Sequence, residues 1–230
     1  MKTELYYIHG FRSHPDQSNP KTEFLKEFCN QRGYEFIAPR MEWETRGCDI
    51  LEQLVDSFRF VDRQDSILRQ SRRRIFVGTS LGGAGALRLF RDFNRNHSQC
   101  FIINPVLNYH HSSFYDLEQS LIFNGENEAT ELYNFHTGID SAITLDHLTD
   151  IRLMIARNQN AMIYNEINEY RYNMRMFIGL IGLNDDILNP KIAERFSDLY
   201  RIPTSYSRGT HSFSDDASMF QLKHYLNFYI

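Results

Sequence analysis

The sequence predicts an α/β protein, in which about six mainly parallel strands form a sheet that helices cover on both faces. Short apolar runs rich in Ile, Val, Phe and Tyr alternate along the chain with amphipathic stretches. The apolar runs are nearly continuous, as strands buried on both faces require. Each of them ends in turn-forming residues such as Gly, Pro, Ser or Asn.

Six segments have the composition of strands: residues 4–8, 34–38, 74–77, 100–103, 175–181 and 204–207. Helical patterns lie between them. The Asn-Pro pairs at 19–20 and 189–190 are typical of a helix N-cap followed by proline at the first helical position. Apolar residues at spacings of three and four predict further helices over 50–61 and 219–229.

The segment 106–173 interrupts this alternation. It contains no convincing strand and is much longer than the usual connection of about 4–6 residues. Helical patterns occur over 143–155 and 159–172. We therefore expect one domain over residues 1–230, with 106–173 as a helical cap insertion. The cap would leave the carboxyl edge of the sheet, where ligands bind in such folds.

Length and composition exclude several classes of protein. The chain has 230 residues, a formal net charge of −4 and three widely spaced cysteines. The longest apolar run, 176–183, is far shorter than the roughly 20 residues that span a bilayer. The acidic balance argues against a general nucleic-acid binder, and the basic run at 72–74 is interpreted as a solvated connection. The cysteines indicate neither disulfides nor a metal site, and with no visible signal peptide we expect a cytoplasmic protein.

The strongest chemical signal is Gly-Thr-Ser-Leu-Gly-Gly at residues 78–83. It follows a predicted strand and begins a helical pattern, the context in which G-x-S-x-G presents a serine nucleophile on a sharp turn. Ser80 would stand at the carboxyl edge of the sheet, where the N–H of Leu81 can stabilise a developing oxyanion. The alternatives are a glycine-rich phosphate-binding turn and a chance match. A Walker A loop is excluded because no Gly-Lys-Ser/Thr follows.

A serine nucleophile needs a base that a third group orients. His211 is the candidate base because it follows the last predicted strand and precedes the closing helix. Asp185 and Asp186 are the candidate acids, and Asp185 is favoured because Asp186 fits a turn before the next helix. The order Ser80, Asp185, His211 is the one expected for this architecture. Taken singly, each residue also fits a surface or turn position.

The loop after the first predicted strand, residues 7–13, lies at the same edge of the sheet. It can aim a second backbone N–H at the oxyanion, and Gly10 suits a close approach of backbone to substrate. His9 is interpreted as fixing this loop by hydrogen bonds rather than as a second base. Arg12 is a candidate contact for an anionic substrate group, with a solvated side chain as the alternative.

Together these segments resemble the α/β-hydrolase superfamily, especially the small bacterial esterases of the YqiA/YcfP type. The segments are H-G-F at 9–11, G-T-S-L-G-G at 78–83, I-N-P at 103–105, G-x-x-D at 182–185 and G-x-H-S-F at 209–213. The resemblance implies an α/β-hydrolase fold, a serine esterase or thioesterase and no cofactor. It places the catalytic triad on Ser80, His211 and Asp185. It places the oxyanion hole on the N–H groups of Phe11 and Leu81.

We therefore expect hydrolysis of an acyl ester or thioester through an acyl-enzyme. A binding or scaffold protein that keeps the fold without turnover is one alternative, and an acyltransferase with the same triad is another. His9, Gly10 and Arg12 are candidate substrate contacts. Aromatic residues of the insertion either line an acyl pocket or form the cap's own core: Tyr109, Phe114, Tyr115, Phe123 and Phe135.

Overall fold

A computed structural model gives the fold of the chain, and it describes residues 1–11, 13, 19–43, 45–68, 71–93, 98–133, 140–163, 178–200 and 202–230. The strands are β1 (Lys2–Ile8), β2 (Glu35–Ile37), β3 (Arg72–Thr79), β4 (Gln99–Ile103), β5 (Glu128–Tyr133), β6 (Asp140–Thr144), β7 (Ile178–Gly182) and β8 (Thr204–Ser207). The helices are α1 (Pro20–Arg32), α2 (Gly47–Ile67), α3 (Leu81–Phe93), α4 (Ser113–Asn124), α5 (Leu145–Ile163), α6 (Pro190–Tyr200) and α7 (Asp216–Tyr229).

The main sheet has six strands in the order β2-β1-β3-β4-β7-β8. Every neighbouring pair in this sheet is parallel. The prediction of an α/β fold with six mainly parallel strands is therefore confirmed. The start of the predicted strand 175–181 lies outside the described residues. Because all six strands run the same way, the loops that follow them meet at one edge of the sheet.

The two Asn-Pro pairs begin helices, as their sequence predicts. The Asn19 side chain accepts a hydrogen bond from the N–H of Thr22, and Gly33, whose φ is 66°, caps the other end of α1. In the same way Asn189 Oδ1 accepts from the N–H of Lys191 in the first turn of α6. These caps satisfy backbone N–H groups that the first turn of a helix leaves without partners.

Both faces of the sheet are buried, and alternate residues of each strand serve opposite faces. On β1, Leu5 and Tyr7 join the core beneath α1 and α7. Tyr6 and Ile8 join the opposite core, which α2, α3 and α5 cover. All four of these side chains are 7% exposed or less. Burial on two faces is the physical reason for the near-continuous apolar strands.

The segment 106–173 differs from the predicted all-helical cap. It contains α4 and α5, but β5 and β6 form an antiparallel hairpin between them. The sequence pattern missed the hairpin because its strands mix charged residues with residues of low strand propensity. Helix α5 packs on α3, where Asn158 Nδ2 donates to the Ala84 carbonyl at 2.9 Å. The end of the predicted helix 159–172 lies outside the described residues. The assignment of 106–173 as a cap within one domain stays a prediction.

The amino-terminal edge of the sheet holds buried ion pairs, so the basic run at 72–74 is not the solvated connection that was expected. Arg72 lies 2.5 Å from Glu4 and 2.6 Å from Asp65. Arg74, which is 4% exposed, lies 2.7 Å from Asp62 and 3.8 Å from Glu4. Burial alone would raise the pKa of Glu4, but hydrogen bonds from Arg72 and other neighbours outweigh it and lower that pKa.

We expect Glu4→Gln to lower the free energy of unfolding by about 2 kcal/mol at neutral pH, because Arg72 and the buried Arg74 each lose one of their two carboxylate partners. The pKa of Glu4 is lower in the folded than in the unfolded state. Its contribution is therefore present above the unfolded pKa and is lost as the pH falls through the folded pKa. Urea unfolding should show that the unfolding free energies of the wild type and the variant converge as the pH is lowered from neutral to acidic.

The matched control for this prediction is Glu35→Gln. Glu35 pairs with Lys2 at 2.6 Å, but both side chains are about half exposed. We expect a loss below about 1 kcal/mol. Equal losses in the two variants would contradict the account based on burial.

Candidate active site

Ser80 occupies the turn between β3 and α3 at the carboxyl edge of the sheet, with a φ of 55°. This left-handed backbone is uncommon for a residue other than glycine and stores strain. Hydrogen bonds fix the turn. The Ser80 N–H donates to the Ile103 carbonyl at 2.9 Å, and its carbonyl accepts from the N–H groups of Gly83 at 2.9 Å and Val106 at 3.1 Å. The neighbouring strand and helix therefore hold the serine in its strained conformation.

Two glycines allow α3 to pack this close to the sheet. A Cβ at Gly78 would lie 2.2 Å from the carbonyl oxygen of Gly82. A Cβ at Gly82 would lie 2.0 Å from the carbonyl oxygen of Ile8. Neither separation is possible for a real side chain, so both positions require glycine. This is the physical basis of the G-x-S-x-G spacing around Ser80.

The loop after β1 passes directly beside Ser80. A Cβ at Gly10 would lie 3.0 Å from Ser80 Cβ and 3.6 Å from Ser80 Oγ. His9, which is 3% exposed, holds this loop in place. Its Nε2 accepts from the Met41 N–H at 3.0 Å, so the ring proton is on Nδ1, which donates to the Gly10 carbonyl at 2.9 Å. The Trp43 indole donates to the His9 carbonyl at 2.8 Å.

The two candidate oxyanion donors belong to the residues that follow Ser80 and Gly10, which lie beside each other. Leu81 is the first residue of α3, where a backbone N–H has no acceptor within the helix. Phe11 follows Gly10, and its ring packs edge-on against Phe114 with centroids 5.1 Å apart. The donor role of these two N–H groups stays a prediction.

Three aromatic residues of the insertion, Tyr109, Phe114 and Tyr115, pack in the core on one face of the sheet. Tyr109 and Phe114 are 3% and 6% exposed, and the Tyr109 hydroxyl donates to the Phe114 carbonyl at 3.4 Å. Burial, with the nearby Glu118 carboxylate, raises the pKa of Tyr109. Tyr115 packs edge-on against Tyr109, with centroids 6.4 Å apart. Tyr109 and Phe114 therefore belong to the main core on this face of the sheet, and Tyr115 packs against that core.

Other candidate substrate contacts are less informative. Phe123 is 91% exposed, so its ring is largely in solvent. Arg12 and Phe135 lie outside the described residues. Substrate binding by His9, Gly10 and Arg12 stays a prediction.

Asp185 and His211 form a hydrogen-bonded pair. His211 Nδ1 donates to Asp185 Oδ2 at 2.8 Å, and the side chains are 14% and 2% exposed. The other carboxylate oxygen, Oδ1, accepts from the N–H groups of Ile187 at 2.9 Å and Leu188 at 2.7 Å. The adjacent Asp186 is exposed. The structure thus brings Asp185, rather than Asp186, to the candidate base, and it leaves His211 Nε2 as the basic ring nitrogen.

Two buried polar residues near the site escaped the sequence analysis. Lys21 of α1 is 7% exposed, and its ammonium group donates to the Ser212 carbonyl, next to His211. Burial lowers the pKa of Lys21 to about 8. Asn104, which follows β4, is 2% exposed with a φ of 42°. Only I-N-P at 103–105 pointed to Asn104, and no local pattern marks a lysine in a first helical turn as buried.

Comparison with known proteins shows the family to which this chain belongs. A model of the Uncharacterised protein family (UPF0227) matches residues 4–221, a range that includes Ser80, Asp185 and His211. The chain belongs to the UPF0227 family. No curated protein matches it.

Solved structures similar to this UPF0227 chain share its fold. One, from LipS and LipT, two metagenome-derived lipolytic enzymes, has 16% identity and a TM-score of 0.66, covering 99% of this chain and 93% of that one. Est1E from Butyrivibrio proteoclasticus with ferulic acid bound has 14% identity and a TM-score of 0.66, with coverages of 98% and 87%. Alpha/beta hydrolase domain-containing protein 10 from mouse has 15% identity and a TM-score of 0.61, with coverages of 97% and 88%. The resemblance to the α/β-hydrolase superfamily is therefore confirmed at the level of fold.

The described residues of the UPF0227 chain contain neither a membrane-spanning helix nor a cluster of metal ligands. None of the described helices combines the length and hydropathy needed to cross a membrane. Within the same ranges, no group of three or more His, Cys, Asp or Glu side chains is arranged to hold a metal ion.

The lowered pKa of Lys21 predicts a dependence of stability on pH. The folded value of about 8 lies below the roughly 10.4 of an unfolded lysine. Between these values the unfolded state binds more protons, so Lys21 makes folding more favourable as the pH rises from about 8 to about 10.4. Urea unfolding should show the wild type gaining stability over this range relative to Lys21→Met.

Lys26→Met is the matched control, because Lys26 is an exposed residue of the same helix. We expect the difference in unfolding free energy between this variant and the wild type to be constant across the same pH range. A constant difference for Lys21→Met as well would contradict the account of a buried ammonium group.

Proposed function

We propose that this protein is a serine hydrolase that cleaves a carboxyl ester or thioester through an acyl-enzyme intermediate. The observation that carries the proposal is the 2.8 Å hydrogen bond between His211 and an Asp185 side chain that is 2% exposed. This pair lies on loops that leave the same sheet edge as Ser80 with its φ of 55°. A base oriented by a buried carboxylate, at the same sheet edge as a serine on a strained turn, fits what nucleophilic catalysis by serine requires.

In the proposed mechanism Ser80 Oγ attacks the acyl carbonyl while His211 Nε2 takes its proton. Asp185 keeps the His211 proton on Nδ1 and stabilises the imidazolium that forms. The N–H groups of Phe11 and Leu81 stabilise the oxyanion. His211 then protonates the leaving alcohol or thiol, and water repeats the attack to release the acid.

Hydrogen bonds that fix the Asp185 carboxylate support its role in this mechanism. Two backbone N–H groups bind Oδ1, which leaves Oδ2 directed at His211. An acid fixed in this way needs no reorganisation when the imidazole becomes charged, which is the source of electrostatic stabilisation in enzymes.

Apolar side chains around the candidate site support an acyl substrate. Phe11, whose N–H is a proposed oxyanion donor, packs its ring on Phe114. Leu183 and Ile187 flank Asp185 in the acid loop and are 48% and 57% exposed. Such surfaces favour the hydrocarbon part of an ester over a highly charged group.

Ser80→Ala tests the nucleophile. We expect kcat for a p-nitrophenyl ester to fall by about 10⁴-fold or more, because no acyl-enzyme can form. The circular dichroism spectrum should stay unchanged, since the alanine occupies the same turn. Ser57→Ala, which alters an exposed serine of α2, is the control and should hydrolyse the ester like the wild type. Full activity in Ser80→Ala would overturn the assignment, and a folded wild type without any hydrolysis would favour a binding protein.

Asp185→Asn and Asp186→Asn are a matched pair that tests the acid. Asp185→Asn should lower kcat by about 10⁴-fold, because the amide no longer holds the His211 tautomer or compensates the imidazolium charge. Asp186→Asn should stay close to the wild type, because Asp186 is exposed while its neighbour contacts His211. Steady-state kinetics on one ester gives both values, and the reverse ranking would transfer the acid role to Asp186.

A further inference from the structure

Asn104 lies at the centre of the candidate site, although it contacts no substrate in the proposed mechanism. It follows β4, is 2% exposed and has a φ of 42°. Its Oδ1 accepts from the Gly182 N–H at 2.6 Å. Its Nδ2 donates to the carbonyls of Thr210 and His211, both at 3.0 Å. One side chain therefore connects the end of β7, where the acid loop begins, with the loop that carries the candidate base.

These contacts specify an amide. The side-chain oxygen accepts from an N–H group, and the NH₂ group donates to two carbonyl oxygens. The reverse orientation would place donor against donor and acceptor against acceptor. An aspartate would set a carboxylate oxygen against the two carbonyls. Asparagine is also one of the few residues that tolerates left-handed backbone. Both the side chain and the backbone of Asn104 thus fit this position.

The residues beside Asn104 hold Ser80. The Ile103 carbonyl accepts from the Ser80 N–H at 2.9 Å, and the Val106 N–H donates to the Ser80 carbonyl at 3.1 Å. Both the N–H and the carbonyl group of Ser80 are therefore hydrogen-bonded to the segment that carries Asn104. A shift of this segment would move Ser80 relative to His211.

The acid and base loops also have hydrogen bonds of their own. The Leu183 N–H donates to the Ser207 carbonyl at 2.7 Å, and the Asn184 N–H donates to the Gly209 carbonyl at 3.1 Å. These bonds keep Asp185 and His211 together without Asn104. What the Asn104 side chain adds is a link from both loops to the segment that holds Ser80.

We infer that Asn104 is a positioning residue that sets the approach of His211 to Ser80. The inference rests on the proposed function, because it concerns the same site and reaction. Removing the amide leaves the pair of Asp185 and His211 in place but loosens its alignment with the nucleophile. A misplacement of about 1 Å between reacting groups lowers the rate by about 10²-fold.

The test uses Asn104→Gly, which removes the amide and suits a φ of 42°. Titration with a fluorophosphonate counts the competent sites, and ester hydrolysis is then expressed per titrated site. We expect kcat per site to fall by about 10²-fold with little change in KM. Asn104→Asp keeps the shape and should also lose rate, because its carboxylate faces the Thr210 and His211 carbonyls.

Gln99→Ala is the matched control. Gln99, which begins β4 at the opposite edge of the sheet from the candidate site, is 6% exposed, and its amide donates to the Tyr229 carbonyl. We expect this variant to have a lower Tm but an unchanged kcat per site. If the Asn104 variants behave in the same way, Asn104 is only structural and the inference is overturned. A folded wild type that neither hydrolyses the ester nor reacts with the fluorophosphonate would overturn the proposed function, and the inference with it.

Discussion

The close packing of α3 on the sheet is the constraint on which the rest of the site depends. It requires glycine at residues 78 and 82, because any side chain there would meet a backbone carbonyl at about 2 Å. The same packing forces the chain through a left-handed turn at Ser80. A helix further from the sheet would relax that turn, and it would also withdraw the N–H of Leu81 from the sheet edge. The strain at Ser80 and the proposed oxyanion hole thus have a common cause.

The parallel sheet brings the remaining groups to Ser80. The loops after β1, β3, β4, β7 and β8 leave the same edge, and each of them is anchored by hydrogen bonds. Backbone strain concentrates at this edge, where Ser80, Asn104 and Phe213 all have positive φ. The opposite, amino-terminal edge of the sheet holds the ion pairs of Glu4 with Arg72 and Arg74. One edge therefore holds the strained loops, and the other contributes stability.

The sequence was sufficient for the parts of this protein that depend on local pattern. Alternating apolar runs predicted all six strands of the sheet, and Asn-Pro pairs predicted where α1 and α6 begin. Chain order and turn context singled out Asp185 and His211, which the structure places in contact. Their catalytic roles stay predictions.

The features that local pattern missed depend on partners far away in the chain. The hairpin of β5 and β6 forms by mutual pairing rather than by strand propensity. Asn104 forms hydrogen bonds with residues more than 75 positions away in the chain. Lys21 forms one with Ser212, which is 191 positions away. The ion pair between Arg72 and Glu4 spans 68 positions. Such contacts follow from the tertiary fold, so no short window of sequence contains them.

The most direct test of the central claim is a crystal structure of the protein after reaction with a fluorophosphonate. The account predicts a covalent bond between phosphorus and Ser80 Oγ. It also predicts that the phosphoryl oxygen lies about 2.7–3.1 Å from the N–H groups of Phe11 and Leu81. A folded protein with no adduct, or with the adduct on another residue, would contradict it.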